Sequence, residues 1–159
     1  MAEEKEGVKR LVEIRKMTEA DLNKVIELGS SSDEMQTGTE SPQFYGRETL
    51  SKWVQSSNGI LLTAESDGEF AGFILTAYNP DSKDAYIHTI AAVDKFRGKG
   101  VGDQLLERTL AELEKTECNH VYCLIKPDNE PARKLFQKHG FSLGELFHYS
   151  DRMLPRSKT

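Results

Sequence analysis

The sequence predicts one α/β domain, a mixed sheet with helices on both faces, and three observations support that reading. Stretches with apolar residues at period two interleave with stretches at helical period along the chain. Turn residues punctuate the changeovers, at Asp67-Gly68, Asn79-Pro80-Asp81 and Pro127-Asp128-Asn129. A chain of 159 residues, 37% hydrophobic and 30% charged, suffices for one core and fits a soluble globular domain. That domain is expected to span residues 1–159, with its core at about 11–155.

Residues 12–17 alternate apolar with charged side chains and are expected as the first strand. Thr18-Glu19-Ala20-Asp21 reads as an N-cap with acids in the first helical turn, ahead of Leu22, Val25, Ile26 and Leu28. Gly29 and the serines after it end that helix. Residues 30–46 show little periodicity, and a loop that long in a compact domain is more often functional or mobile than accidental. Phe44 and Tyr45 in it either wall an acceptor site or anchor a second short helix to the core. Residues 48–55 carry Leu50, Trp53 and Val54 at helical spacing, with Trp53 read as a packing anchor. Two β-like runs, 60–65 and 70–77, flank Asp67-Gly68, the strongest short-range hairpin signal. A central strand follows at 86–93, then a long helix at about 100–115 and a strand at 120–126. The next helix has Pro131 in its first turn and Gly140 at its end. Residues 141–145 and 147–154 are expected as closing strands, which brings the sheet to about seven. Their exposed edges are available for pairing between subunits, so a homodimer is left open.

Between the central strand and the long helix lie Arg97, Gly98, Lys99, Gly100, Val101 and Gly102, an arginine with three alternate glycines. The helix begins at once, with Val101, Leu105, Leu106, Leu110 and Leu113 on one face. Strand, glycine-rich turn and helix start together present free backbone N–H groups to an anion. Glycines let oxygens approach the backbone closely, and Arg97 and Lys99 add positive charge. The local reading is a phosphate-binding turn; the alternative is a glycine-rich left-handed turn with no ligand. A Walker-type loop is excluded, because Lys99 is followed by Gly100 and Val101 instead of Ser or Thr. A dinucleotide fingerprint is excluded too, because the third glycine comes one place early.

What does match is Arg-x-x-Gly-x-Gly, which resembles the pyrophosphate-arm turn of the GNAT superfamily of N-acetyltransferases, users of acetyl-coenzyme A. The run from Asn129 to Phe141 resembles that family's second signature, Asn-x-x-Ala-x-x-Leu-(Tyr)-x-x-x-Gly-Phe. With the matching order of elements, the resemblance extends from Val12 to Leu154. It implies a mixed, mostly antiparallel sheet, splayed between the parallel strands at 86–93 and 120–126, with the pantetheine arm of acetyl-CoA in the splay. It implies cofactor contacts from Ile90, Ala91 and Ala92, from Arg97, Gly98, Lys99, Gly100, Val101 and Gly102, and from Asn129, Ala132 and Phe136. Asn129 either meets pantetheine or simply caps its helix. The implied reaction is direct acetyl transfer to a primary amine of a small molecule or peptide, with backbone N–H near Ala91-Ala92 stabilising the oxyanion. The alternative is a non-catalytic acyl-CoA-binding or regulatory module.

Two departures from the family pattern bear on the chemistry. Many relatives carry a tyrosine where Phe136 stands, and relatives that acetylate a ribosomal protein's N-terminus carry a glutamate where Leu124 stands. A thiol with pKa about 8.5 leaves tolerably without an acid. A lysine-like amine with pKa about 10.4 needs a base more. His88, two residues before Ile90, resembles the strand histidine of arylalkylamine N-acetyltransferases and is the candidate base. Its alternative is a satisfied histidine on a sheet face. Tyr122 and, behind it, Tyr149 are candidates for the acid.

The remaining composition narrows the partners. A net charge of −5 with interspersed signs offers no basic stripe to a nucleic-acid backbone and mildly favours a cationic acceptor. No histidine pair has metal-ligand spacing, so no metal is expected. Cys118 and Cys123 lack CxxC spacing and are expected to be reduced and structural, in a cytoplasmic protein. The charged N-terminus has no apolar stretch of a secretory signal, and no run approaches the roughly 20 apolar residues that span a bilayer.

Overall fold

The computed structural model describes residues 12–32 and 44–156. Most of the aperiodic stretch at 30–46 lies outside the described residues. Five strands and four α-helices are present among them. Strands β1 (Val12–Lys16), β2 (Gly59–Ser66), β3 (Glu69–Asn79), β4 (Asp84–Ala92) and β5 (His120–Cys123) form one sheet in chain order. The first four pair antiparallel, whereas β4 and β5 run parallel. A parallel pair needs a long crossover, and α3 (Val101–Glu114) supplies it. Helices α1 (Leu22–Ser30) and α2 (Arg47–Gln55) precede β2, and α4 (Glu130–Lys138) follows β5.

Both faces of the sheet are covered, which is why β2 and β3 read as nearly continuous apolar runs. Successive strand residues point to opposite faces, so Leu62 and Ile74 pack with Phe96, Val101, Leu105, Leu106 and Phe136. Their neighbours Leu61, Phe73 and Leu75 pack on the other side with Met17, Leu22, Val25 and Leu50. The expected hairpin joins β2 to β3, with Asp67 at φ 53° and Gly68 at φ 76°. Two left-handed residues in succession suit the right-handed twist of the strands they join.

Near the chain start, Arg15 clasps two carboxylates. Its Nη1 and Nη2 each donate to Asp21 at 2.7 Å, and Nη2 also donates to Glu65 at 2.7 Å. Asp21 additionally accepts from the Thr18 N–H at 2.8 Å. Arg15 holds the largely buried Asp21 carboxyl below its ordinary value, and the hydrogen bond from Thr18 adds to this.

The sheet has five strands where about seven are expected, because residues 141–145 and 147–154 form neither. Alternating apolar residues favour a strand only where a partner edge is present. Gly140, at φ 87°, turns the chain out of α4, and the Phe141 N–H donates to the Phe136 carbonyl at 3.0 Å. Beyond that bond the segment joins no strand among the described residues, and Leu146 and Phe147 stand 78% and 84% exposed.

Candidate active site

The turn before α3 is built around a buried plug. Phe96 closes a short 3-10 turn (Asp94–Phe96) and is buried in the core, which fixes where the chain re-emerges. Gly98 and Gly100 then take φ 72° and 80°, left-handed values that a side chain resists. Gly102 is glycine for another reason: a Cβ there would lie 3.2 Å from Leu135 Cδ2, where α3 meets α4. The first intrahelical bond from the N-cap runs from the Gln104 N–H to the Gly100 carbonyl at 3.0 Å, so the N–H groups ahead of it are free of helix partners. Arg97 Nε folds back onto Asp94 at 3.0 Å in solvent, and Lys99 Nζ sits 5.9 Å from the Phe96 ring centre. Asp103, in the first helical turn, is an unfavourable neighbour for an anion. Lys138 Nζ at 2.9 Å and His139 Nε2 at 2.8 Å pin it, hold its carboxyl below the ordinary value and screen its charge.

Parallel pairing of β4 with β5 runs from Asp84↔His120 to Ile87↔Cys123 and stops there. β4 continues along β3 to Gly72↔Ala92, so one of its edges is open over the last residues. Past its end, the Val93 N–H donates toward β3, to the Ala71 carbonyl at 2.8 Å. Alternation then turns the backbone groups of Ile90 and Ala92 to the side that β5 has left. A cleft of about 1030 Å³ opens there, lined by Ile90, Ala91, Ala92, Arg97, Gly98, Gly100, Val101, Gly102, Asn129 and Ala132. Two residues expected in that group do not line it. Lys99 points at Phe96, and Phe136, only 2% exposed, packs in the core with its ring 5.0 Å from that of Phe141. Asn129 caps α4, its Oδ1 accepting from the Ala132 N–H at 3.2 Å.

His88 sits where the ladder is irregular. Leu75 pairs with Thr89 and Thr76 with Ile87, leaving His88 as the extra residue of a β-bulge. The bulge changes which face His88 presents. Ile90 packs against the core under α3, whereas His88 joins rings on the α1–α2 face. The Trp53 ring centre lies 4.8 Å from that of His88, Tyr86 4.6 Å and Tyr45 5.8 Å. Tyr45 Oη is 3.1 Å from His88 Nδ1. Burial lowers the imidazole pKa below its ordinary 6.5 and pushes the Tyr86 phenol up to about 12. His88 and Trp53 line a second hollow of about 160 Å³, which no charged residue lines. Tyr122 does not touch His88 directly; Tyr86 stands between them, 5.0 Å from Tyr122.

The pair before α2 divides between two neighbourhoods, outside any helix. Phe44 packs against Phe73 and fills the space over Gly29, while Tyr45 meets His88. Trp53 packs, as expected, and also contacts the histidine, which its helical spacing gave no reason to foresee. Cys118 and Cys123 are both free thiols, and burial pushes the latter up to about 11. Among the described residues no group of three or more His, Cys, Asp or Glu is placed to hold a metal ion. None of the helices described is long and apolar enough to cross a membrane.

Comparison with known proteins agrees with this architecture. The family model described as "Acetyltransferase (GNAT) family" matches residues 26–141. A mycothiol acetyltransferase of Corynebacterium aurimucosum is 24% identical over 150 residues, covering 70% of this chain and 49% of that protein. The chain spans about half the length of the curated relatives it matches. Among solved structures, the PaiA N-acetyltransferase of Thermoplasma acidophilum in complex with coenzyme A superposes with a TM-score of 0.74 at 21% identity, over 86% of this chain and 93% of that one. An aminoglycoside acetyltransferase from an uncultured soil metagenomic sample, in complex with sisomicin, gives 0.72 at 17% identity, over 89% and 96%. At such identities these likenesses establish the fold.

Proposed function

We propose, given that the chain belongs to the acetyltransferase (GNAT) family, that it moves the acetyl group of acetyl-CoA directly to a primary amine within a ternary complex. The observation that carries this reading is the place where β4 and β5 part. There an open backbone edge and a left-handed glycine turn lie at the end of β4, and half-buried His88 stands a few residues before them on the same strand. Acetyl-CoA would supply a thioester with a good leaving group. Free N–H groups around Gly98, Gly100 and the first turn of α3 would hold its diphosphate, and the Ile90 and Ala92 backbone would pair with its amide-bearing arm. The contribution of Asn129 is to hold α4 against the cleft by capping it.

His88 takes the amine proton. For that its Nδ1–H donates to Tyr45 Oη, which leaves the Nε2 lone pair free, and burial favours the neutral ring that can accept. Tyr122 is the group proposed to return a proton. The acceptor is a primary amine of a small molecule or peptide whose carbon body packs on Trp53 and Tyr86. Aromatic faces also attract an ammonium group before it is deprotonated. Binding both partners in one complex provides the proximity that direct transfer requires.

The test is thiol release from acetyl-CoA across a panel of aliphatic, aromatic and peptide amines, with wild type and His88→Gln. Amine-dependent release that falls at least 100-fold in the variant, on the order of a positioned base's contribution, with CoA affinity retained, is the expected result. CoA binding without release on any amine would overturn the transferase reading, and unchanged release in the variant would overturn the role of His88.

A further inference from the structure

The cleft at the start of α3 is poor in positive charge for a site that takes a diphosphate. Five acidic side chains line it against two basic ones, Lys24 and Arg97. Arg97 is already engaged by Asp94, and Lys95 by Glu69. Asp103 differs from those two acids in its place. It stands in the first turn of α3, directly after Gly102, among the free N–H groups of the helix start. Its side chain is 29% exposed, less than that of Glu69 or Asp94, so water screens its charge least of the three. A carboxylate there suits the partial positive charge of the helix start, which is the same field that a bound diphosphate uses. Asp103 is therefore a resident anion with which a ligand anion has to compete.

We infer that Asp103 is a release residue: its fixed charge weakens the grip of the α3 turn on the CoA diphosphate, and Lys138 and His139 set by how much. This role presupposes the proposed function, which puts acetyl-CoA at this turn. Acetyl-CoA and product CoA carry the same diphosphate, so affinity for that group holds product as firmly as substrate and adds nothing to the chemical step. Departure of product, in contrast, limits the turnover of many enzymes. Lys138 Nζ and His139 Nε2 both meet Asp103 Oδ1, at 2.9 and 2.8 Å, from the end of α4 away from Asn129. They offset part of the acid's charge while leaving it in place. A purely structural tie between α3 and α4 is the competing role, and the two roles differ in sign. Removing a tie loosens the cleft wall that Asn129 and Ala132 form and weakens CoA binding, whereas removing a resident anion strengthens it.

Isothermal titration and stopped-flow dissociation of CoA test this on wild type, Asp103→Asn and Lys138→Gln. Each is measured at low salt and at about 1 M salt, where the screening length falls to ~3 Å. At low salt Asp103→Asn is expected to lower Kd ~2- to 5-fold, the range for a part-exposed charge, with the change in the dissociation rate. Lys138→Gln is expected to raise Kd by a similar factor. Both ratios fall toward one at high salt, which the loss of a structural tie does not produce. Asp103→Asn that binds CoA as wild type does, or more weakly, overturns this role, and so does tightening that persists at high salt. If that variant fails to fold, Lys138→Gln decides alone, because its two-thirds exposed side chain can be shortened without disturbing either core; an unchanged Kd then overturns the role. Wild type that binds no CoA overturns the proposed transfer together with this role. Wild type that binds CoA while the variants miss these shifts overturns the role of Asp103 alone.

Discussion

Gly100→Ala separates two ways of holding a diphosphate, by backbone or by side-chain charge. Gly100 caps α3 at φ 80°, ψ 11°, and a Cβ built there finds open space, with Gln104 Nε2 the nearest atom at 4.0 Å. The substitution therefore perturbs conformation and anion approach without a packing clash. Holding alanine in the left-handed region costs about 1–2 kcal/mol, which should appear as a loss of that size in unfolding free energy. The methyl group also stands at the mouth of the free N–H groups. Losing one hydrogen bond to a charged partner costs about 1.5–3 kcal/mol, so the dissociation constant for CoA should rise ~10- to 150-fold. Arg97 is two-thirds exposed and already engaged by Asp94. An exposed charge of that kind contributes about 0.2–1 kcal/mol, so Arg97→Ala should raise the same constant by less than ~6-fold. Isothermal titration with CoA, beside thermal melts of each variant, gives both numbers. The backbone argument fails if Gly100→Ala binds CoA like wild type while Arg97→Ala loses most of the affinity.

Other consequences follow from named contacts. Because burial depresses the His88 pKa, the neutral base persists as pH falls through 6.5, and the acidic limb of kcat should lie below that value. A limb at or above 6.5 contradicts the assignment. Tyr45→Phe removes the partner of Nδ1 and should lower kcat about tenfold, with a smaller effect on KM. Asp21→Asn should cost about 1–3 kcal/mol in urea unfolding at pH 7, since it weakens two charge-assisted hydrogen bonds from Arg15 and leaves Glu65 as its one carboxylate partner. The Asp21 carboxyl is lowered from 3.8, so its stabilisation is full above that pH and is lost as pH falls through the depressed value; the gap between wild type and variant should shrink there, and a pH-independent gap would contradict the clasp. Gly72→Ala would place a Cβ 2.4 Å from the Ala91 carbonyl oxygen, a backbone atom that yields only if β3 and β4 separate. A loss of about 1–3 kcal/mol is expected, and a variant that melts like wild type would contradict the register given for these strands.

Local signals in the sequence carried furthest where one residue type permits one backbone shape. Asp67-Gly68 could be read as a hairpin and Gly98 and Gly100 as a turn, because left-handed φ values restrict the choice of residue. The cap on α4 was legible for the same reason, since Asn129 stands just ahead of Pro131. Alternation in residues 141–154 was real, but a pattern does not supply the partner edge that a strand needs. Phe136 occupies a signature position, yet helical periodicity also marks it as an inward residue, and packing decided. His88 shows a different limit. Even spacing from Ile90 implies a shared face, and a one-residue bulge, which leaves no mark in composition, reversed that. The ring contacts of Tyr45 and Trp53 with His88 bring together positions far apart in the chain, beyond any local pattern.

That bulge has a further consequence for how such a site is acquired. Thr89 already faces Leu75 and Ile87 already faces Thr76, so the ladder closes on either side without calling on His88. The imidazole is a supernumerary rung. Excising that one codon should leave strand register and both cores in place and remove only the proposed proton acceptor. Chemistry of this kind can be inserted into, or deleted from, a finished scaffold in a single step, and a lineage can change it without first rebuilding the sheet.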